Sequence, residues 1–308
     1  MAMLAIFLFV LPQAEASQLK PGERLEYTFS YRGILSGFTQ IDIAHAEFAI
    51  QQEVETLEGR EIYQASLNLT TEPFRVAEIL YPIRYHYRSW LEPDKQIPLL
   101  VMEYLATDEI SEELIWFDHA NQQGYRYVKK ELVSQAEEAT PPVHLLDKLG
   151  IGQSDYSRMV KSHQSKFSQD EVWDYLSMLY RLRFMPLQPG QITELPLYNG
   201  KRIKHYRVKV AREHLQWDGW NRSAFRLNLH EVRNGDQRAG SITSVWVSDD
   251  KARLPLRFYV KRTFGTVEGM LQTGRPIAGE EVGLSRYSSE VSNLARPLGL
   301  SSFASSIR

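Results

Sequence analysis

The chain contains no cysteine among its 308 residues. That absence excludes disulfides, thiolate metal sites, a cysteine nucleophile and the lipidated cysteine of a bacterial lipoprotein. An excess of one charge is missing too: 36 Lys+Arg stand against 38 Asp+Glu, a net charge of -2. No global field draws the protein toward nucleic acid or an anionic membrane, so any such affinity must be local. The spacings of common site chemistry are also missing. The histidines at 45, 86, 119, 144, 163, 205, 214 and 230 form no H-x-x-x-H or H-E-x-x-H motif, and no G-x-S-x-G occurs. The expectation is a protein that is not an enzyme, with no catalytic residue, metal or cofactor.

A long hydrophobic run is absent as well. The apolar stretch from Met3 to Leu11 is too short to span a bilayer, so the chain is not expected to be membrane-spanning. Followed by Ala14-Glu15-Ala16, it reads as a secretory signal over residues 1–16, although it lacks a basic start. The expected location is the periplasm, as an exported protein that is not a lipoprotein, and nucleic acid is disfavoured by that compartment.

What the chain does have is aromatic and alternating. Sixteen Tyr, 13 Phe and 6 Trp accompany many Val, Ile and Thr, a mixture that suits a pleated, half-buried surface. From Arg24 to Arg32, Leu25, Tyr27, Phe29 and Tyr31 share one face and charged or hydroxyl residues the other. Phe38 to Ile50 reads as a second strand whose apolar parity changes midway, which predicts a bulge near Ala44 or His45. Alternation recurs around Tyr63–Leu69, Ile83–Tyr87, Leu114–Asp118 and Tyr125–Lys129. It returns at Ile192–Leu197, Ile203–Arg212, Ala224–Glu231, Ser241–Ser248, Leu256–Lys261 and Thr266–Leu271.

Residues 131–168 break this pattern and read as a partly helical insertion. A helix is expected over 169–183, with Ser168 as N-cap, Glu171 completing a capping box and Pro186 beyond its end. Asp170, Glu171 and Asp174 near its start complement the helix dipole more simply than they form an acid/base pair. The fold class is mainly β, a large curved antiparallel sheet or open barrel of roughly twelve strands, with one main helix packed on the concave side. Residues 17–286 form a single β-rich domain, and 287–308 are expected to be a mobile tail.

Several short motifs recur in order. Pro21-Gly22-Glu23-Arg24-Leu25-Glu26-Tyr27 is followed by Gly33 and Ser36-Gly37, then Trp116-Phe117-Asp118. The stretch from Asp174 to Arg183, Leu187-Gln188-Pro189-Gly190, Val245-Trp246-Val247-Ser248-Asp249 and Leu254-Pro255-Leu256 complete the set. In order and spacing these resemble the bacterial exported family called domain of unknown function 3108, over residues 20–272 with 131–168 as an apparent extra. The resemblance implies export and a curved β fold similar to sheets that bind apolar molecules. It carries no reaction, ligand or functional residue.

Function is therefore expected from the concave face. Tyr27, Phe29, Tyr31, Tyr63, Tyr85, Tyr87 and Trp173 would line a cavity for an apolar or amphipathic envelope molecule such as a lipid or glycolipid. Lys204, Arg207 and Lys209, from the densest basic run, would hold an anionic group at its rim. The alternative is a structural or assembly factor docking on other envelope proteins through exposed edges and the 131–168 insertion.

Overall fold

A computed structural model of the chain describes residues 19–57, 59–130, 141–217, 220–233, 236–237 and 242–272. The segment expected to be a signal, residues 1–16, and the expected tail, residues 287–308, lie outside the described residues. The first half holds β1 (Arg24–Gly33), β2 (Gln40–Ile50), β3 (Glu55–Leu57), β4 (Arg60–Thr70), α1 (Arg75–Leu80), β5 (Arg84–Leu91), β6 (Pro98–Ala106), β7 (Ile110–Asp118) and β8 (Gln123–Lys129). Then follow α2 (Val143–Lys148), α3 (Gln153–Tyr156), β9 (Met159–Lys166) and α4 (Tyr175–Phe184). The second half is β10 (Ile192–Tyr198), β11 (Ile203–Trp217), β12 (Trp220–Arg233), β13 (Asp236–Gln237), β14 (Ile242–Ser248), β15 (Pro255–Arg262) and β16 (Gly265–Leu271).

These strands form one 16-stranded sheet in the order β10-β11-β12-β14-β15-β16-β1-β2-β4-β5-β6-β7-β8-β9, with β13 on β12 and β3 on β4. Every pairing between named strands is antiparallel, so the mainly β reading holds, with more strands than the roughly twelve expected. Two of the additional strands explain themselves. β6 is apolar on both faces, with Val101 in the concave core and Leu100 and Met102 in the convex one, so it shows no alternation. β9 lies inside the stretch read as an insertion and pairs with β8.

A sheet this wide has to curl. Register shifts at Phe29/Ser30, Trp246/Val247, Trp90/Leu91 and Arg126/Tyr127 bend it. The first skips Ile43 on β2, one residue before the expected position. Curling brings the two sheet edges together. Trp173 forms a parallel bridge with Leu197, through Trp173 N–H to Pro196 O at 3.0 Å and Tyr198 N–H to Trp173 O at 2.8 Å. Ser165 Oγ on β9 donates to Lys201 O at 3.3 Å. The segment after β9 thus covers the β10 edge, which would otherwise offer unpaired backbone groups to another chain.

α4 fills one half of the enclosed space. Leu176, Met178, Leu179, Tyr180 and Leu182 join Leu25, Phe48, Leu197, Phe225 and Leu256 in the concave core, each large apolar side chain contributing about 1.5–3 kcal/mol. The helix starts at Tyr175, later than the expected 169. Its N-cap is Asp174, whose Oδ1 accepts from Leu176 N–H at 2.7 Å and Ser177 N–H at 3.1 Å, while Ser177 Oγ accepts from Asp174 N–H at 2.9 Å. The Ser168–Glu171 box does not form, because the chain at Trp173 is held in the bridge to β10. The partly helical insertion supplies a second layer: Leu145 and Leu146 of α2, with Leu149 and Ile151, pack on Ile62, Trp90, Leu100, Leu114 and Tyr127 of the convex face.

Candidate functional site

Antiparallel pairing sorts the connections to the two ends of the barrel. One end carries the β5–β6, β7–β8 and β14–β15 turns and the last turn of α4, tied there by Arg183 to Glu23 and to the carbonyl of Arg253. The other end carries the β1–β2, β6–β7, β10–β11 and β15–β16 turns and α1. α4 begins beside Lys204, the second residue of β11, and runs to the first end, so the interior beyond Tyr175 toward the second end is not occupied by the helix.

The side chains facing that space are only partly buried. Leu69, Tyr85 and Leu105 stand side by side on β4, β5 and β6, and Phe29 lies on β1 above Gly269, whose missing side chain makes room for the ring. Opposite them, Tyr206 of β11 pairs with Glu231 of β12. Tyr175, the first residue of α4, is the floor between the two walls.

The electrostatic interactions of these groups run across the interior. The Tyr175 hydroxyl is pushed well up, first by burial and then by Tyr206, Glu103 and Glu231. Glu103 and Glu231 sit on β6 and β12, far apart in the sheet order, so both reach Tyr175 only across the concave side. Tyr85 is raised by burial and by Glu103, to which its hydroxyl donates. Tyr206 is pushed up to about 12 by burial and by Glu231, with Arg262 and Arg202 opposing. Lys204 Nζ donates to the Tyr175 hydroxyl at 3.3 Å, Arg202 lies 3.7 Å from Glu231, and Arg262 Nη1 is buried with no hydrogen-bond partner among the described residues.

Tyr175 is 36% exposed, yet burial is the main force opposing its ionisation. The hydroxyl therefore faces protein, beside Lys204, while part of the side chain reaches solvent. Apolar walls with a few converging polar groups are the arrangement of a small-molecule pocket. Among the described residues no three His, Asp or Glu side chains cluster as a metal site.

The residues expected from sequence divide between this chamber and the packed core. Phe29 and Tyr85 are partly buried and pack against the core on the side toward the second end. Tyr27, Tyr87 and Trp173 are buried beneath the chamber, Tyr27 edge-on to Phe48 and Phe258 with ring centroids 5.1 and 5.3 Å away. Tyr31 donates to Phe264 O at 2.7 Å beside the β15–β16 turn. Tyr63 lies at the other end, opposite Leu91. Of the basic trio, Lys204 faces inward, whereas Arg207 lies on the convex face in an ion pair with Glu194 at 2.6 Å and Lys209 is exposed. Sequence reasoning missed Tyr175, Tyr206, Leu69, Leu105 and the Glu103 and Glu231 charges. Tyr206 was within reach, because it shares its parity with Val208 and Val210 and with Lys204.

Residues 150–272 match the family described as "Protein of unknown function (DUF3108)", which supports the resemblance seen in the short motifs. No curated protein matches the chain. Among solved structures, the crystal structure of a beta-barrel-like protein of domain of unknown function DUF1849 from Brucella abortus is similar at 7% identity, with a TM-score of 0.49, covering 81% of this chain and 95% of that one.

Proposed function

We propose that the chain binds an amphipathic envelope molecule, a lipid or glycolipid, in the half-open end of its barrel. Phe29, Leu69 and Leu105 take the apolar part, and Lys204, Arg262 and the tyrosine hydroxyls take the polar group. The observation that carries this reading is Tyr175, which is partly accessible at the start of a helix that runs away to the other end of the barrel. The buried, unpartnered Arg262 Nη1 favours an anionic head group, since a guanidinium pairs best with carboxylate or phosphate oxygens. We place the protein in the periplasm on the reading of its first sixteen residues.

Native mass spectrometry of gently purified protein tests this, with Leu69→Glu and Leu105→Glu as variants at partly buried wall positions. A co-purifying mass lost on delipidation and absent from the variants is expected. A clean apo mass, together with no binding of an apolar fluorescent probe, overturns the reading. Docking through the insertion has weaker support, because Leu145 and Leu146 of α2 turn toward the sheet and away from any partner.

A further inference from the structure

The open end of the barrel is bordered by large apolar side chains that the core does not use. Ile34, Leu35 and Phe38 in the β1–β2 turn and Phe264 in the β15–β16 turn are 56–65% exposed. On α1, Val76, Ile79 and Leu80 share one helical face turned to water, while Glu78 faces the barrel to bond Thr71 and Arg84. Large apolar side chains gathered at one end mark an interaction surface, whereas single scattered ones need no explanation.

Phe38 is more than incidentally exposed. Its φ of 62° is left-handed, a region that bulky side chains rarely adopt. Phe38 N–H donates to Gly33 O at 2.8 Å and Arg32 Nε donates to Phe38 O at 3.0 Å, so the strained turn is pinned with its ring in solvent. Strain held this way at an exposed position points to a use for the ring.

The charge beside these rings has one sign, while the β6–β7 turn across the mouth carries the exposed acids Asp108 and Glu109. Arg32, Lys261, Lys201 and Arg202 are exposed in or next to the β1–β2, β15–β16 and β10–β11 turns, and residues 32–39, 199–202 and 261–265 contain no acid. The α1 side carries both signs, with Arg84 paired to Glu78 at 2.7 Å and near Glu72 at 3.9 Å.

We infer that this rim docks the barrel, mouth down, on the surface of a bilayer containing anionic lipids. Ile34, Leu35, Phe38 and Phe264 enter the interfacial layer, and the neighbouring Arg and Lys side chains meet the headgroups. Separate hairpin tips around a mouth suit a deformable lipid surface, and basic residues flanking apolar ones match its charge. The inference deepens the proposed function, for which docking supplies a water-free route between bilayer and chamber, but the docking itself depends only on the rim.

Co-sedimentation of the full chain with phosphatidylcholine vesicles, with and without phosphatidylglycerol, tests it. Binding is expected to require phosphatidylglycerol, to weaken with salt, and to fall at least about tenfold in Phe38→Asp/Phe264→Asp. Leu69→Glu, which alters the chamber, should keep vesicle binding and lose only the bound molecule, so the two proposals fail separately. Unchanged binding by the double aspartate variant overturns the inference. So does rim-dependent dimerisation in sedimentation velocity without vesicle binding, which assigns the rim to a second copy.

Discussion

Arg183, in the last turn of α4, clasps Glu23, just before β1, through two bonds of 2.6 and 2.9 Å, with the two side chains 1% and 6% exposed. Arg183 Nε also donates to Arg253 O at 2.9 Å. One side chain thus joins the plug helix to the residue before β1 and to the β14–β15 turn. Both charges are out of water, so neither is tolerable alone. Glu23→Leu or Arg183→Met is expected to destabilise the fold by about 3–5 kcal/mol, and the paired replacement Glu23→Leu/Arg183→Met to recover much of it. Urea denaturation of the two single variants and the double checks this, and additive losses would contradict the pair's coupling.

Asp174 caps α4 from a fully buried position, and burial raises its pKa despite bonds from Ser89, Ser177 and Leu176. A carboxyl with a raised folded pKa contributes stability that is present below its unfolded value, about 3.9, and lost as the pH rises through the folded value. Asp174→Asn keeps an oxygen for the two helix N–H groups and removes the charge. It should therefore flatten that component of the stability–pH curve, while Asp174→Ala loses the cap, about 1–2 kcal/mol, at every pH. Thermal unfolding of the three proteins from acid to neutral pH measures both effects. Parallel pH curves for wild type and Asp174→Asn would refute the first.

Where the sheet edges meet, Tyr198 of β10 lies on Gly124 of β8, and a Cβ there would sit 2.3 Å from the ring. Tyr198 is fully buried and its hydroxyl donates to Gly200 O at 2.9 Å, so the ring cannot withdraw cheaply. Gly124→Ala should destabilise by about 1–3 kcal/mol, and Gly124→Ala with Tyr198→Leu by less than the sum of the two. A double-mutant cycle in guanidinium reads the coupling.

At Phe38 the direction reverses. Replacement by Asn, which tolerates the left-handed region, is expected to leave stability unchanged or raise it by up to about 1 kcal/mol, because only the strained phenyl is lost. A clear loss in chemical denaturation would show that the ring serves the fold itself.

Alternation over Leu25–Tyr31, Tyr63–Leu69 and Tyr85–Tyr87 identified strands because each has one wet face or one half-buried face, and period-two patterning records that contrast. The parity change in β2 placed its bulge within a residue for the same reason. β6 left no such record, since α2 and the concave core bury both its faces. The helix start was misplaced because Ser168–Glu171 and Asp174–Ser177 are equally good local boxes, and only the bridge from Trp173 to Leu197 selects the second.

By itself the sequence determined the class of fold, the positions of most strands and the absence of thiol chemistry, all of which depend on residue type and local spacing. Only the tertiary structure decided that α4 plugs one half of the barrel, and so which aromatics are core and which line a chamber. Tyr27 and Phe29 are two residues apart on the same face, yet one packs edge-on against Phe48 and Phe258 in the filled half and the other borders the open half. Their difference is set by elements more than a hundred residues away, and no local pattern carries that information.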